Sequence, residues 1–119
     1  KIYFFFFLYG LKTRHMTRKE TLIKMLDEDP KDSFLMYALG KEFEREGDDP
    51  EALIWYEKLI QLNPNYTGVY YHLASLHLRQ ENLDEARLVL NRGIEICTQE
   101  QAHHDLAELK GLLMNLDIE

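Results

Sequence analysis

Histidine, cysteine and clustered carboxylates are the side chains from which metal sites and acid–base or nucleophilic catalysis are built. In this chain of 119 residues they fall in few places. His103 and His104 are adjacent and followed by Asp105, a composition that suits a divalent metal. On a helix, however, successive residues point about 100° apart, so the two imidazoles do not chelate together as an i, i+4 pair does. They read as the solvated start of a helix. His72 and His77 also diverge, and His77 reads as packing between helices. Cys97 is the single cysteine and has no thiolate-stabilising neighbour in sequence, so it reads as inert. The acids Glu42, Glu44, Glu46, Asp48, Asp49 and Glu51 imitate a calcium loop but lack its spacing and closing glutamate. Phosphate-binding loops, dinucleotide fingerprints, nucleophile elbows and His-Glu-x-x-His pairs are absent. The expectation is a protein that is not an enzyme and that holds no metal and no cofactor.

The composition narrows the classes further. Fourteen basic against 21 acidic side chains give a net charge of -7, which repels phosphate backbones and argues against nucleic-acid binding. An apolar fraction of 45% is that of a globular chain rather than a disordered one. One cysteine without a partner points to a reducing, cytoplasmic setting. Residues 1–15 differ from the rest: they hold four of the six phenylalanines, three basic residues and no acid. The run from Ile2 to Leu8 is shorter than a membrane span, no small-x-small cleavage site follows it, and no cysteine lies near for a lipid anchor. Because Met-Thr-Arg-Lys-Glu from Met16 resembles an ordinary start, 1–15 is read as upstream of the true beginning. The alternative is an apolar arm that packs on the domain or a partner, which would make a peripheral or envelope location conceivable. Without it the remaining 104 residues carry 11 basic and 21 acidic side chains, a charge of -10.

The elements that position these residues come from an internal repeat. Shifting the chain by 34 residues aligns 33–66 with 67–100 and makes Tyr37/Tyr71, Leu39/Leu73, Arg45/Arg79, Glu51/Glu85, Ala52/Ala86 and Ile60/Ile94 identical. Each unit reads as two amphipathic helices with a short turn between them. Met36, Leu39, Gly40 and Phe43 form the first stripe, Gly47-Asp48-Asp49 breaks it, and Pro50 suits the first turn of the next helix. That helix shows Ala52, Leu53, Tyr56, Leu59 and Ile60 and stops at Asn63-Pro64. The second unit repeats the scheme with Tyr70, Leu73, Ala74 and His77, a turn at Glu81 to Asp84, then Ala86, Val89, Leu90 and Ile94. Leu53–Ile54 and Arg87–Leu88 are expected to keep the apolar phase. Upstream, Arg18 to Glu28 reads as one helix; downstream, Ala102, Leu106, Leu109, Leu113 and Leu116 form the stripe of another, beginning near Gln99.

This pattern resembles the tetratricopeptide repeat, whose period is 34. The first unit supplies Leu39-Gly40, Phe43, Ala52, Tyr56 and Pro64, with Met36 in the Trp slot and Leu59 in the small-residue slot. The second supplies Tyr70, Leu73-Ala74, Ala86, Leu90 and Gly93, with His77 for an aromatic and Thr98 for Pro. The resemblance implies an all-α fold, a right-handed α–α superhelix of about six helices: two full repeats between N- and C-terminal capping helices. Residues 16–119 form one domain, divided into a half-repeat helix (16–30), repeat 1 (33–66), repeat 2 (67–100) and a capping helix (99–119).

In that family the first helix of each repeat lines a concave groove that holds peptides. The positions this implies are Phe34, Tyr37, Lys41, Glu44 and Arg45 from the first unit, and Tyr71, Ser75, Leu78 and Arg79 from the second. Tyrosine and arginine are common interface anchors. Lys41, Arg45 and Arg79 would make a cationic patch for an acidic or C-terminal carboxylate, with apolar contacts on Tyr37 and Tyr71. The alternative is that both arginines only pair with Glu44 or Glu46. Family members that clamp chaperone tails use Lys and Asn where Tyr37 and Lys41 stand, and Asn at His72, so co-chaperone activity is not implied. The leading reading is a cytoplasmic scaffold or adaptor with a protein or peptide partner, no nucleic acid and no membrane. The competing reading is a homodimer formed through Leu112, Leu113, Met114 and Leu116 of the capping helix.

Overall fold

The computed structural model describes residues 15–118. The expectations placed on residues 1–15 therefore lie almost wholly outside the described residues. Six helices follow one another: α1 (Arg18–Glu28), α2 (Ser33–Arg45), α3 (Asp49–Leu62), α4 (Val69–Arg79), α5 (Leu83–Glu100) and α6 (His103–Ile118). No strand occurs among the described residues.

Local chemistry sets the helix starts. Thr17 and Glu20 close a reciprocal capping box on α1, the Glu20 amide donating to Thr17 Oγ1 at 3.1 Å and the Thr17 amide to Glu20 Oε1 at 2.9 Å. Asp32 and Asp48 cap α2 and α3 by accepting from the amides of Leu35 and Glu51 at 3.0 and 3.2 Å. Pro50 sits in the first turn of α3, where its missing N–H leaves no bond unmade. The turn after α2 passes through Gly47 at φ 82°, and its counterpart 34 residues on passes through Glu81 at φ 58°. Both turns close with matching bonds: the Asp48 amide donates to the Phe43 carbonyl at 2.9 Å, and the Asn82 amide to the His77 carbonyl at 2.8 Å.

Each helix packs on the next in sequence, and α4 also touches α6, so α2, α4 and α6 form one layer and α1, α3 and α5 the other. Leu39, Ala52, Tyr56, Leu59, Val69, Tyr70, Leu73, Ala74 and Leu90 are essentially solvent-free and form the shared core. Two glycines let the helices approach. A Cβ on Gly40 would collide with the Tyr56 ring, and one on Gly93 would lie 2.8 Å from Tyr70 Cβ and from a Leu109 methyl. His77 fills its slot as packing, 4% exposed.

Two expectations are corrected. The last helix starts at His103 rather than near Gln99, because α5 runs on to Glu100 and Gln101 ends it with a left-handed φ of 57°. The Leu53–Ile54 and Arg87–Leu88 pairs do not keep a buried apolar phase: Leu53 is half-buried, while Ile54, Arg87 and Leu88 are exposed. Ala52, Tyr56 and Leu59 already fill the inward face of α3. On α6, Leu112, Leu113 and Leu116 pack against the core, leaving Met114 and Ile118 exposed.

Candidate functional site

The face built by α2 and α4 is organised around one carboxylate. Glu44, on the last turn of α2, accepts from Tyr56 Oη at 2.6 Å and faces His72 Nδ1 at 3.4 Å through Oε1; its Oε2 accepts from Arg79 Nη2 at 2.8 Å. Arg79 also donates to both oxygens of Asp49, through Nε at 3.1 Å and Nη2 at 3.2 Å. Burial by itself would raise the Glu44 pKa, but the bonds from His72, Tyr56 and Arg79 outweigh it and bring it down to about 2. The same contacts work on the partners. Burial and then the Glu44 bond push the Tyr56 phenol far up, and Asp49 together with Glu44 holds the Arg79 guanidinium more firmly protonated.

An aromatic cluster adjoins this hub. The Tyr37 ring lies 5.6 Å from His72 in a T-shaped contact, 5.4 Å from Tyr66 and 6.3 Å from Tyr56. Tyr71 meets His72 edge-on at 5.9 Å and remains exposed. The Lys41 ammonium sits 5.8 Å from the Tyr37 ring centroid, within cation–π reach, and has no carboxylate partner among the described residues. Of the nine lining positions named above, then, Tyr37, Lys41, Glu44, Tyr71 and Arg79 join one contiguous network. Phe34 is exposed at the start of α2; Ser75 and Leu78 are half-buried on α4. Leu78 lines a cavity of about 550 Å³ with Leu83, Leu112 and Leu116.

Arg45 goes elsewhere. Its guanidinium pairs with Glu42 at 3.0 Å, and Glu42 also takes Arg18 of α1 at 3.2 Å. Glu42 is 7% exposed, so this triad ties α1 to α2 rather than facing the Arg79 side. The equality of Arg45 and Arg79 in the repeat therefore hides two different partner sets: Glu42 for one, Glu44 and Asp49 for the other. Sequence reasoning did not find His72, Tyr56 and Asp49 as members of the hub. The available signal was that an acid on α2 stands one helix width from a tyrosine on α3 and a histidine on α4, which only the pairwise packing reveals.

Two further groups complete the chemical inventory. Cys97 is fully buried, and burial raises its thiol pKa, as expected of an unreactive cysteine. His104, Asp105 and Glu108 bring ligand-type atoms within 4.8 Å of one another on the first turns of α6. His104 is exposed and faces Glu108 at 3.7 Å, and Asp105 accepts from the Thr67 hydroxyl at 2.6 Å, so each of the three already has a partner.

The geometry agrees with the comparisons to known proteins. The profile of the tetratricopeptide repeat family matches residues 45–112. A tetratricopeptide repeat domain protein from Salinibacter ruber, solved by crystallography, superposes with a TM-score of 0.70 at 34% identity, covering 72% of this chain and 96% of that one. The solution structure of a Bordetella parapertussis protein shares the fold at 20% identity, with a TM-score of 0.76 over 87% of this chain and 90% of that one. The photosystem I assembly protein Ycf3 of Acaryochloris marina is 38% identical over 63 residues, 51% of this chain and 38% of that protein. The Hsp70-Hsp90 organising protein of Plasmodium falciparum is 40% identical over 47 residues, 40% of this chain and 8% of that protein. The chain spans less than half the length of these curated relatives. With the repeat, the stacked helix pairs and the profile in agreement, the chain belongs to the tetratricopeptide repeat family.

Proposed function

We propose that this chain is a protein–protein interaction scaffold that holds a partner's peptide segment across the face of α2 and α4. The observation that carries the reading is the pair of an exposed Tyr71, against His72, and a Lys41 ammonium without a carboxylate partner among the described residues, over Tyr37, the two joined through the Tyr37–His72 contact. Phe34, Ser75 and Leu78 extend the surface along the same two helices. Arg79, neutralised by Glu44 and Asp49, contributes hydrogen-bond donors rather than net charge, and Arg45 sits at the margin. The segment accordingly pairs one or two apolar side chains with a carboxylate near Lys41. The names of the relatives, an assembly protein and an organising protein, are those of proteins that bring others together, which supports the class but not a particular partner.

Affinity capture from the source cells with wild type and with Lys41→Glu/Tyr71→Ala tests this. The double variant leaves the buried core and the hydrogen bonds to Glu44 in place, so it should fold and lose the specific partner; an unchanged set of captured proteins would sink the reading. A second reading, self-association through the capping helix, is favoured only by the exposure of Met114 and Ile118 on α6. Light scattering at micromolar concentration separates the two, since a monomer removes it. A cytoplasmic setting fits both, and no described helix is long and apolar enough to cross a membrane.

A further inference from the structure

On the opposite side of the molecule, α1 and α3 stand apart and leave a cavity of about 470 Å³ walled by Leu26, Trp55 and Leu62 and floored by Met36. A smaller hollow of about 210 Å³ over Phe43 and Ile23 continues it along Trp55. The repeat shows what such a place is built to hold. Thirty-four residues on from Met36 stands Tyr70, fully buried, its hydroxyl donating to the Pro64 carbonyl at 2.5 Å. The turn carrying Pro64 has a twin at Pro30. The Asn63 amide donates to the Leu59 carbonyl at 2.7 Å and the Asp29 amide to the Met25 carbonyl at 3.0 Å, with backbone angles of -142°/81° and -138°/78° at the two caps. Pro30 thus presents its carbonyl as Pro64 does, but among the described residues no phenol reaches it. Leu59, in the place of Gly93, is buried and does not line the cavity, which stays open toward Pro30.

We propose that this cavity takes a tyrosine side chain flanked by carboxylates, supplied by a partner polypeptide. The ring would lie between Leu26, Met36, Trp55 and Leu62, with its hydroxyl donating to the Pro30 carbonyl, as Tyr70 does within the second unit. Flanking acids follow from the rim, where Lys31 and Lys58 are both exposed and neither has a carboxylate partner among the described residues. Lys58 is held over the Trp55 ring at 4.7 Å, so its charge is fixed beside the opening. Among the described residues Asp27 is the one acid lining the larger cavity, against Lys31 and Lys58, while Glu51 stands on the adjoining hollow, so the positive side of the opening is the Lys31–Lys58 rim.

Trp55 is the sole tryptophan and therefore reports on this cavity directly. The probe is the synthetic peptide acetyl-Glu-Glu-Leu-Tyr-Leu-Glu-Glu-amide, titrated into the full chain while Trp55 emission is followed. A saturable change is expected. Replacing the peptide's tyrosine by phenylalanine should weaken binding roughly fivefold by removing one hydrogen bond, and replacing it by alanine more than tenfold. Lys31→Glu/Lys58→Glu and Leu62→Lys alter exposed positions and should each weaken binding at least tenfold with the fold intact by circular dichroism. Lys41→Glu/Tyr71→Ala should bind the peptide as wild type does, which keeps this site distinct from the α2/α4 face. Equal affinity for the tyrosine and alanine peptides, or unchanged affinity in the cavity variants, overturns the proposal. A Trp55 change that grows with protein concentration without peptide would assign the cavity to a second copy and overturn it as well.

Discussion

Replacing Glu44 by glutamine keeps the side chain's shape and removes its charge from the centre of the α2/α4 face. The carboxylate pKa falls from an ordinary 4.5 to about 2 in the folded protein, and the carboxylate is only 16% exposed. At roughly 1.4 kcal/mol per unit this amounts to at most about 3.5 kcal/mol of stability at neutral pH. Because the folded pKa is lowered, the unfolded chain binds the proton first as the solution is acidified. The contribution is therefore complete above about pH 5, is reduced by about 2 kcal/mol at pH 3, and is nearly gone by pH 2. Glu44→Gln should accordingly lower the urea midpoint clearly at pH 7, and the gap to wild type should close between pH 4.5 and 2. Equilibrium urea unfolding at pH 7, 4 and 3, followed by helical circular dichroism, measures it. A variant that loses the same stability at pH 3 as at pH 7 would refute the view that the charge, rather than the shape, of Glu44 holds the hub together.

Other substitutions test the packing. Glu81 adopts the left-handed φ that Gly47 supplies in the first unit; relieving that strain, about 1–2 kcal/mol, outweighs glycine's extra chain entropy, so Glu81→Gly should stabilise by about 0.5–1 kcal/mol, read as a higher melting temperature. Gly111→Ala, on an exposed helix face with open space around it, should stabilise by about 0.5–1 kcal/mol, whereas Gly93→Ala should destabilise by about 1–3 kcal/mol because neither Tyr70 Cβ nor Leu109 can retreat freely. Tyr70→Phe removes the bond to the Pro64 carbonyl and should cost about 1–2 kcal/mol, read by thermal denaturation.

How much of this was legible in the sequence depends on the range of the interaction. Caps, breaks and stripes are local, so the six helices could be read from Pro50, Asn63-Pro64 and the spacing of Leu39, Phe43 and Leu73. The end of α5 could not: nothing in Cys97 to Glu100 breaks a helix, and Gln101 carries a left-handed turn without the glycine that would announce it. Repeat identity put Arg79 and Arg45 alike on the α2/α4 face; Arg79 pairs there with Glu44, whereas Arg45 pairs with the buried Glu42 that also takes Arg18. Tyr56 reads as core from its spacing and is core, yet its hydroxyl reaches Glu44. Long side chains do two things at once, and periodicity reports only the first. The open cavity over Met36 was visible in sequence only as a departure from the repeat pattern; its meaning needed the matching turns at Pro30 and Pro64.

The order in which the helices pack has a kinetic consequence. Most backbone packing joins helices adjacent in the chain, with α2 and α4 tied in addition by the Glu44 hub and α4 touching α6, so the helices at the ends of the row are held by the fewest neighbours. Such a row opens from its edges. Amides of α1, which is backed by α2, should exchange with solvent sooner than those of α4, which carries five buried apolar or small residues and the ring of His77. Hydrogen exchange followed by mass spectrometry would show a gradient of protection that peaks at α4. Any ligand that bridges α1 and α3 would slow exchange in α1 first, turning the least protected helix into the most sensitive gauge of binding.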